Sequence, residues 1–284
     1  MLCLATWCNV SPQSKTPRTL KVRRLVPEND ILPGSIVQVY GSCYSGKSTL
    51  VWSLVKRLYS RVDLVFIVSP FDCLHECYKC YKPVHIIREE RPSIDDFVKH
   101  RSTKFNFVSN LYFDDQYLHK LVKAKTASLR RVHGHVSTKP LEVLVVLEDY
   151  CGDAFVRSGH LVRRLVRGLV QLLPGKDLSY FKVPNVTTTT IVSAFRPTEL
   201  PIELSTGICV STMITNLDTL KDLYATYFKG IDFKDFQTLF KRLTSNYMFV
   251  VKLGDTIKWY KATRNQVQDF RAIWHKRLLP SKVV

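Results

Sequence analysis

Residues Val37–Leu50 read VQVYGSCYSGKSTL, and this stretch decides the fold. An apolar, β-prone run from Ile36 to Tyr40 leads into Gly41-x-x-x-x-Gly46-Lys47-Ser48, and apolar residues at helical spacing follow at once: Leu50, Val51, Leu54, Val55 and Leu58. Strand, glycine-containing loop and helix in that order predict a phosphate-binding loop. Read without its flanks, the same pattern would fit a surface turn.

The residue types suit the task. Several backbone N–H groups must converge on phosphate oxygens, and glycines at the bends let the main chain wrap that closely. A helix starting near Gly46 adds the positive end of its dipole. The loop from Gly41 through Ser42, Cys43, Tyr44, Ser45 and Gly46 to Thr49 would cradle the polyphosphate of ATP. Lys47 would reach the β and γ phosphates, and the Ser48 hydroxyl would ligate Mg2+.

The second landmark is Leu141–Asp149, LEVLVVLED, an apolar run that ends in two acids. It predicts a central strand whose tip delivers Glu148 and Asp149 beside the loop. Adjacent acids can divide two tasks, one holding the Mg2+ shell and the other orienting and deprotonating the attacking water. A strand that merely emerges into solvent on acidic residues is the plainer alternative. Thr187–Phe195, TTTTIVSAF, is strongly β-prone and ends at Arg196-Pro197. It offers Ser193 as the polar residue presented to the γ-phosphate. Asp63–Ser69 is a continuous apolar run of the kind buried on both faces of a parallel sheet. The fold class expected is therefore α/β: a P-loop NTPase with a mainly parallel central sheet flanked by helices and a C-terminal helical and β-hairpin extension.

Composition bounds the partners. The chain of 284 residues carries 42 Lys+Arg against 24 Asp+Glu, a formal charge of +18, with 45% hydrophobic residues. That hydrophobic fraction excludes a disordered chain, and the basic excess points to a polyanion, nucleic acid above all. Eight scattered cysteines, one inside the loop, argue against a secreted disulfide framework. No apolar run reaches the length of a membrane span, so no membrane partner is expected. The setting expected is intracellular.

Residues 1–33 hold Pro12, Pro17, Pro27 and Pro33 with Lys15, Arg18, Lys21, Arg23 and Arg24, and read as a basic, irregular arm. Residues 34–215 would form the ATPase core, and 216–284 would add helices and a hairpin packed on it. In that last part, Leu217 to about Leu243 is helical with an interruption near Gly230, and Tyr247–Leu253 with Thr256–Tyr260 reads as a hairpin across Gly254-Asp255. Cys73, Cys77 and Cys80, with His75 and His85 nearby, could hold Zn2+, but a matching second pair is missing and reduced cysteines are the commoner outcome. Ser93 reads as a helix cap, and Asp114–Arg131 as a helix carrying Lys120, Lys123, Lys125, Arg130 and Arg131. Arg157, Arg163, Arg164 and Arg167 line the polar side of another, where they would face solvent, DNA phosphates or a neighbouring subunit's nucleotide.

The order of phosphate loop, acidic strand, Thr187–Ser193 strand, Glu199-Leu-Pro-Ile-Glu-Leu turn and final hairpin resembles the poxvirus-type DNA packaging ATPases of the FtsK–HerA superfamily. The resemblance spans roughly residues 34–265, with only the loop and the acidic strand as sharp motifs. It implies a multimeric ring that hydrolyses ATP to pump double-stranded DNA into a capsid, with capsid or portal proteins as partners, in an infected cell or on the virion. Carried over by residue, Gly41, Gly46, Lys47, Ser48 and Thr49 match the nucleotide loop, Glu148 the Mg2+-side acid and Asp149 the catalytic acid. Two departures stand out. The family usually has Asp where Glu148 lies, and a Gln often follows the sensor strand, where this chain has Ala194-Phe195. Three other readings remain open: a helicase-type NTPase stimulated by nucleic acid, a nucleoside or nucleotide kinase, and a non-catalytic, nucleotide-dependent DNA-binding scaffold.

Overall fold

The structure is a computed structural model that describes residues 3–7, 18–42, 44–69, 77–78, 81, 83–87, 99–100, 103–109, 124–125, 127–129, 140–148, 186–200, 207–245 and 248–262. Asp149, Cys43, Cys73, His75, Cys80, Ser93, the arginines at 157–167 and most of 114–131 lie outside the described residues.

In chain order the strands are β1 (Cys3–Trp7), β2 (Arg18–Arg24), β3 (Ile36–Tyr40), β4 (Leu64–Ser69), β5 (Val84–Ile87), β6 (Phe105–Ser109), β7 (Leu141–Leu147), β8 (Val186–Ala194), β9 (Ile208–Ser211), β10 (Phe249–Leu253) and β11 (Thr256–Tyr260). The helices used below are α1 (Pro27–Asp30), α2 (Lys47–Leu58), α3 (Leu217–Tyr227) and α4 (Phe233–Thr244). One sheet of eleven strands among the described residues runs β1-β2-β11-β10-β9-β3-β8-β7-β4-β6-β5. From β9 to β5 every neighbouring pair is parallel, as the doubly apolar runs predict.

Alternation along the strands divides the core in two. On one face, Val37, Val39, Val65, Ile67, Leu144, Val146 and Ile191 pack with Leu50, Val51, Leu54, Val55 and Leu58 of α2. Each of those five helix side chains is at most 2% exposed, and each contributes roughly 1.5–3 kcal/mol by its burial. On the other face, Ile36, Tyr40, Phe66, Val145, Leu147 and Val192 pack with Leu220 and Leu223 of α3 and Phe236, Leu239, Phe240 and Leu243 of α4. The result is helix, sheet, helix in three layers.

The interruption near Gly230 is real: α3 and α4 are separate helices. Each starts on a side-chain cap, Asn216 accepting from the Thr219 N–H and Asp232 from the N–H groups of Lys234 and Asp235. The hairpin also forms, with Gly254 at φ 52° in its two-residue turn.

One expectation needs correction. In place of an irregular leader over 1–33, β1 and β2 pair antiparallel, and β2 then joins the sheet parallel to β11. The alternating Leu20-Lys21-Val22-Arg23 pattern buries Val22, and Leu25 donates its N–H to the Trp259 carbonyl. A 2.6 Å ion pair from Lys258 to Asp30 fixes α1 against β11. The hairpin extends the sheet, because β10 pairs antiparallel with β9. β9 ends at Ser211, and Thr212 turns out of the ladder toward the phosphate loop.

Candidate functional site

β3 ends at Tyr40 and the chain enters the loop at Gly41, where a side chain is sterically excluded. A Cβ there would overlap Thr212 Oγ1 and lie 2.6 Å from Ser45 Oγ. Gly46, at φ 91°, takes the left-handed conformation that lets the loop turn directly into α2. Tyr44 also has a positive φ, 58°, and its side chain is fully exposed at the loop's tip. Ser48 and Thr49 open α2, half-buried.

The loop is braced by the chain leaving β9. Ser45 Oγ and Thr212 Oγ1 lie 2.5 Å apart, the Thr212 N–H donates to the Tyr40 carbonyl at 2.8 Å, and the Ser42 N–H donates to the Met213 carbonyl at 3.2 Å. Ser42 Oγ in turn accepts from the Thr215 N–H. Lys47 is 6% exposed; its Nζ donates to the carbonyls of Gly41 (2.9 Å) and Ser42 (3.1 Å) and lies 4.1 Å from the centre of the Phe195 ring. The ammonium is thus held at the mouth of the loop, one side on carbonyl dipoles and the other on an aromatic face.

Register fixes the remaining groups. Val39 of β3 pairs with Ser193 of β8. One step beyond the Leu147–Val192 pair places Glu148 beside Ser193, and one step beyond Val68–Leu147 places it beside Ser69. Strand alternation puts Ser193, Glu148 and Ser69 on the α2 side of the sheet, with Val39, Ile191, Val146 and Ile67. Glu148 and the loop are separated by one strand, so their strands are about 10 Å apart, two inter-strand spacings.

Glu148 is 1% exposed, and the Tyr78 hydroxyl donates to its Oε2 at 3.2 Å. Burial first, then the Glu148 charge, pushes the Tyr78 phenol well above its ordinary range, so it stays a proton donor. The segment carrying Tyr78 is anchored to α2, where Trp52 Nε1 donates to the Cys77 carbonyl at 2.8 Å.

The sequence-predicted residues Gly41, Ser42, Tyr44, Ser45, Gly46, Lys47, Ser48, Thr49, Ser193 and Glu148 are brought to one end of the sheet. Sequence reasoning missed Thr212, Thr215, Tyr78, Ser69 and Phe195. The position of Phe195 directly after the β8 run, where a Gln was sought, was a usable signal; the others carry none, because only folding brings them to the loop.

Of the candidate zinc ligands, Cys77 and His85 are among the described residues. Cys77 is buried, and His85 lies on β5 with Nδ1 3.4 Å from Lys125 Nζ and its ring stacked on His100. No group of three or more His, Cys, Asp or Glu placed to hold a metal occurs among the described residues. Lys125 is fully buried and donates to the His100 carbonyl. No helix among the described residues is long and apolar enough to cross a membrane.

No protein-family model and no curated protein matches the chain. Similar solved structures include B204, the DNA-packaging ATPase from Sulfolobus turreted icosahedral virus, at 15% identity over 82% of this chain and 99% of that one, with a TM-score of 0.48. The genome packaging NTPase B204 from Sulfolobus turreted icosahedral virus 2, in complex with sulfate, gives 13% identity over 82% and 98%, with a TM-score of 0.47. The pCW3 conjugation coupling protein TcpA, in monomer form with ATPγS, gives 12% identity over 97% of this chain and 70% of that one, with a TM-score of 0.44. Likeness at these levels assigns no residue a role.

Proposed function

We propose that the chain is an ATP-driven translocase of double-stranded DNA that packages a viral genome, working as a homo-oligomeric ring. The observation that carries this reading is Glu148 standing one strand away from a glycine-built phosphate loop, on the same face of the sheet. The donors fit a magnesium nucleotide. The loop admits no Cβ at Gly41, Lys47 Nζ stands at its mouth, and the Ser48 hydroxyl begins α2. Ser48 and Glu148 would hold Mg2+, which when bound neutralises charge on the β and γ phosphate oxygens.

Each side chain then has a role. Lys47 exchanges its carbonyl partners for phosphate oxygens and supplies a positive charge where negative charge develops. Glu148, or Asp149 beside it in sequence, orients the attacking water and accepts its proton. Ser193, on the strand between the loop and Glu148, presents a hydroxyl toward the terminal phosphate. The excess of basic residues, +18 overall, supplies sequence-independent grip on the DNA backbone that each cycle can make and release.

The test is nucleotide hydrolysis by the purified chain with no DNA, single-stranded DNA and double-stranded DNA, paired with the mass of the assembly under each condition. Stimulation by double-stranded DNA in a multimer, abolished by Lys47→Ala, is the expected result. Preference for single strands would favour the helicase reading. Nucleotide binding without turnover in any context would favour the scaffold, and no loss on Lys47→Ala would refute the site.

A further inference from the structure

The proposed reaction leaves Tyr78 unused, yet it is the residue whose hydroxyl meets the buried carboxylate. A carboxylate that is 1% exposed needs donors to remain oriented, because desolvation strengthens whatever interactions it makes and penalises those it lacks. Tyr78 is itself 1% exposed, and its ring is set against Phe105 and Phe107, with centroids 5.4 Å and 6.3 Å away. Packing therefore fixes the direction from which the hydroxyl approaches Glu148 Oε2, at 3.2 Å.

The same segment is tied to the helix that begins at the phosphate loop. Trp52, five residues beyond Lys47 on α2 and 2% exposed, donates its indole N–H to the Cys77 carbonyl at 2.8 Å. A continuous run of contacts thus leads from the phosphate-binding end of α2 through Trp52, Cys77 and Tyr78 to Glu148.

We propose that Tyr78 is a positioning residue for Glu148, its hydroxyl setting the carboxylate's orientation and the Trp52–Cys77 bond holding that hydroxyl in step with the phosphate loop. This rests on the reading in which Glu148, rather than Asp149, orients the attacking water. The Tyr78 hydroxyl transfers no proton in the reaction; it orients the carboxylate.

Tyr78→Phe deletes one hydroxyl and keeps the ring. The full chain carrying it is expected to lose about tenfold in kcat for ATP, a fraction of the 10²–10⁴ that a positioned acid or base supplies. KM and nucleotide Kd should stay within about twofold, and the melting temperature within a few degrees. Trp52→Phe should lower kcat in the same direction by less, and the double variant should be no slower than Tyr78→Phe alone, because both act through one hydroxyl. A Tyr78→Phe kcat within twofold of wild type, or a fall in kcat matched by equal loss of nucleotide affinity, overturns the proposal. Additive losses in the double variant overturn the tie to α2. Glu148→Gln separates this failure from that of the underlying reading: if turnover survives that substitution, Glu148 is not the acid and both fall, as they do if wild type never turns over. If Glu148→Gln is inactive while Tyr78→Phe is not impaired, only the role of Tyr78 falls.

Discussion

Replacing Gly41 by alanine is the sharpest probe of how the phosphate loop is built. The added methyl would overlap Thr212 Oγ1, lie 2.6 Å from Ser45 Oγ and 3.0 Å from Thr212 Cβ. Thr212 cannot simply rotate away. Its Oγ1 meets Ser45 Oγ at 2.5 Å and the Tyr40 carbonyl at 3.2 Å, and its N–H is held by the same carbonyl. Even a rotated Thr212 leaves Cβ in tight contact. Two buried hydrogen bonds at about 1 kcal/mol each, with overpacking of about 1–3 kcal/mol, give a penalty of roughly 3–5 kcal/mol. At about 2–4 °C per kcal/mol for a chain approaching this size, the melting temperature should fall by roughly 6–20 °C. Nucleotide affinity, measured calorimetrically, should drop by at least about 30-fold, because the loop can relieve the clash only by moving its N–H groups off the phosphate. Adding Thr212→Ala removes the hydroxyl clash but not the 3.0 Å contact, and should recover part of the loss, with a coupling of about 1–2 kcal/mol. Gly230→Ala is the control, since a Cβ there meets nothing within 4 Å. A Gly41→Ala chain that melts and binds nucleotide like wild type would refute the close approach of Thr212 to the loop.

Two further outcomes follow from the core. Gln38 is fully buried on β3 and accepts hydrogen bonds from both Tyr40 and Tyr227, so Gln38→Leu removes the acceptor those hydroxyls share. Thermal unfolding should show a loss of about 1–3 kcal/mol; unchanged stability would mean the network adds nothing. Burial raises the phenols of Tyr78, Tyr227 and Tyr260. Below about pH 10, where unfolded tyrosines remain protonated, this has no effect; above it the unfolded chain loses protons that the folded chain keeps, so stability falls as pH rises. The slope approaches about 1.4 kcal/mol per pH unit for each such tyrosine. Urea midpoints at pH 9, 10 and 11 should therefore decline, less steeply in Tyr227→Phe, and a flat series would show that these hydroxyls ionise in place.

The loop and its two neighbours were legible because their signals are local. Gly41, Gly46 and Lys47 are dictated by the geometry of wrapping a phosphate, and β3, β4 and β7 by continuous apolar runs that only a strand covered on both faces needs. Glu148 was legible as the end of such a run. The N-terminal strands were not, because Pro12 and Pro17 and the basic residues mask the alternation that buries Val22.

By itself, then, the sequence determined a phosphate loop between a strand and a helix, an acid at the end of a buried strand, and a polycationic chain. Tertiary structure decided what those features touch. The strand order β9-β3-β8-β7 sets Glu148 one strand away from the loop, Thr212 enters 171 positions after Gly41 to close the loop's floor, and Tyr78 reaches Glu148 from a segment that reads in sequence as part of a cysteine cluster. Such contacts join residues far apart in the chain, and no local period or propensity encodes which of them will meet. They depend on strand order and register, which the packing of the two helical layers against the sheet selects.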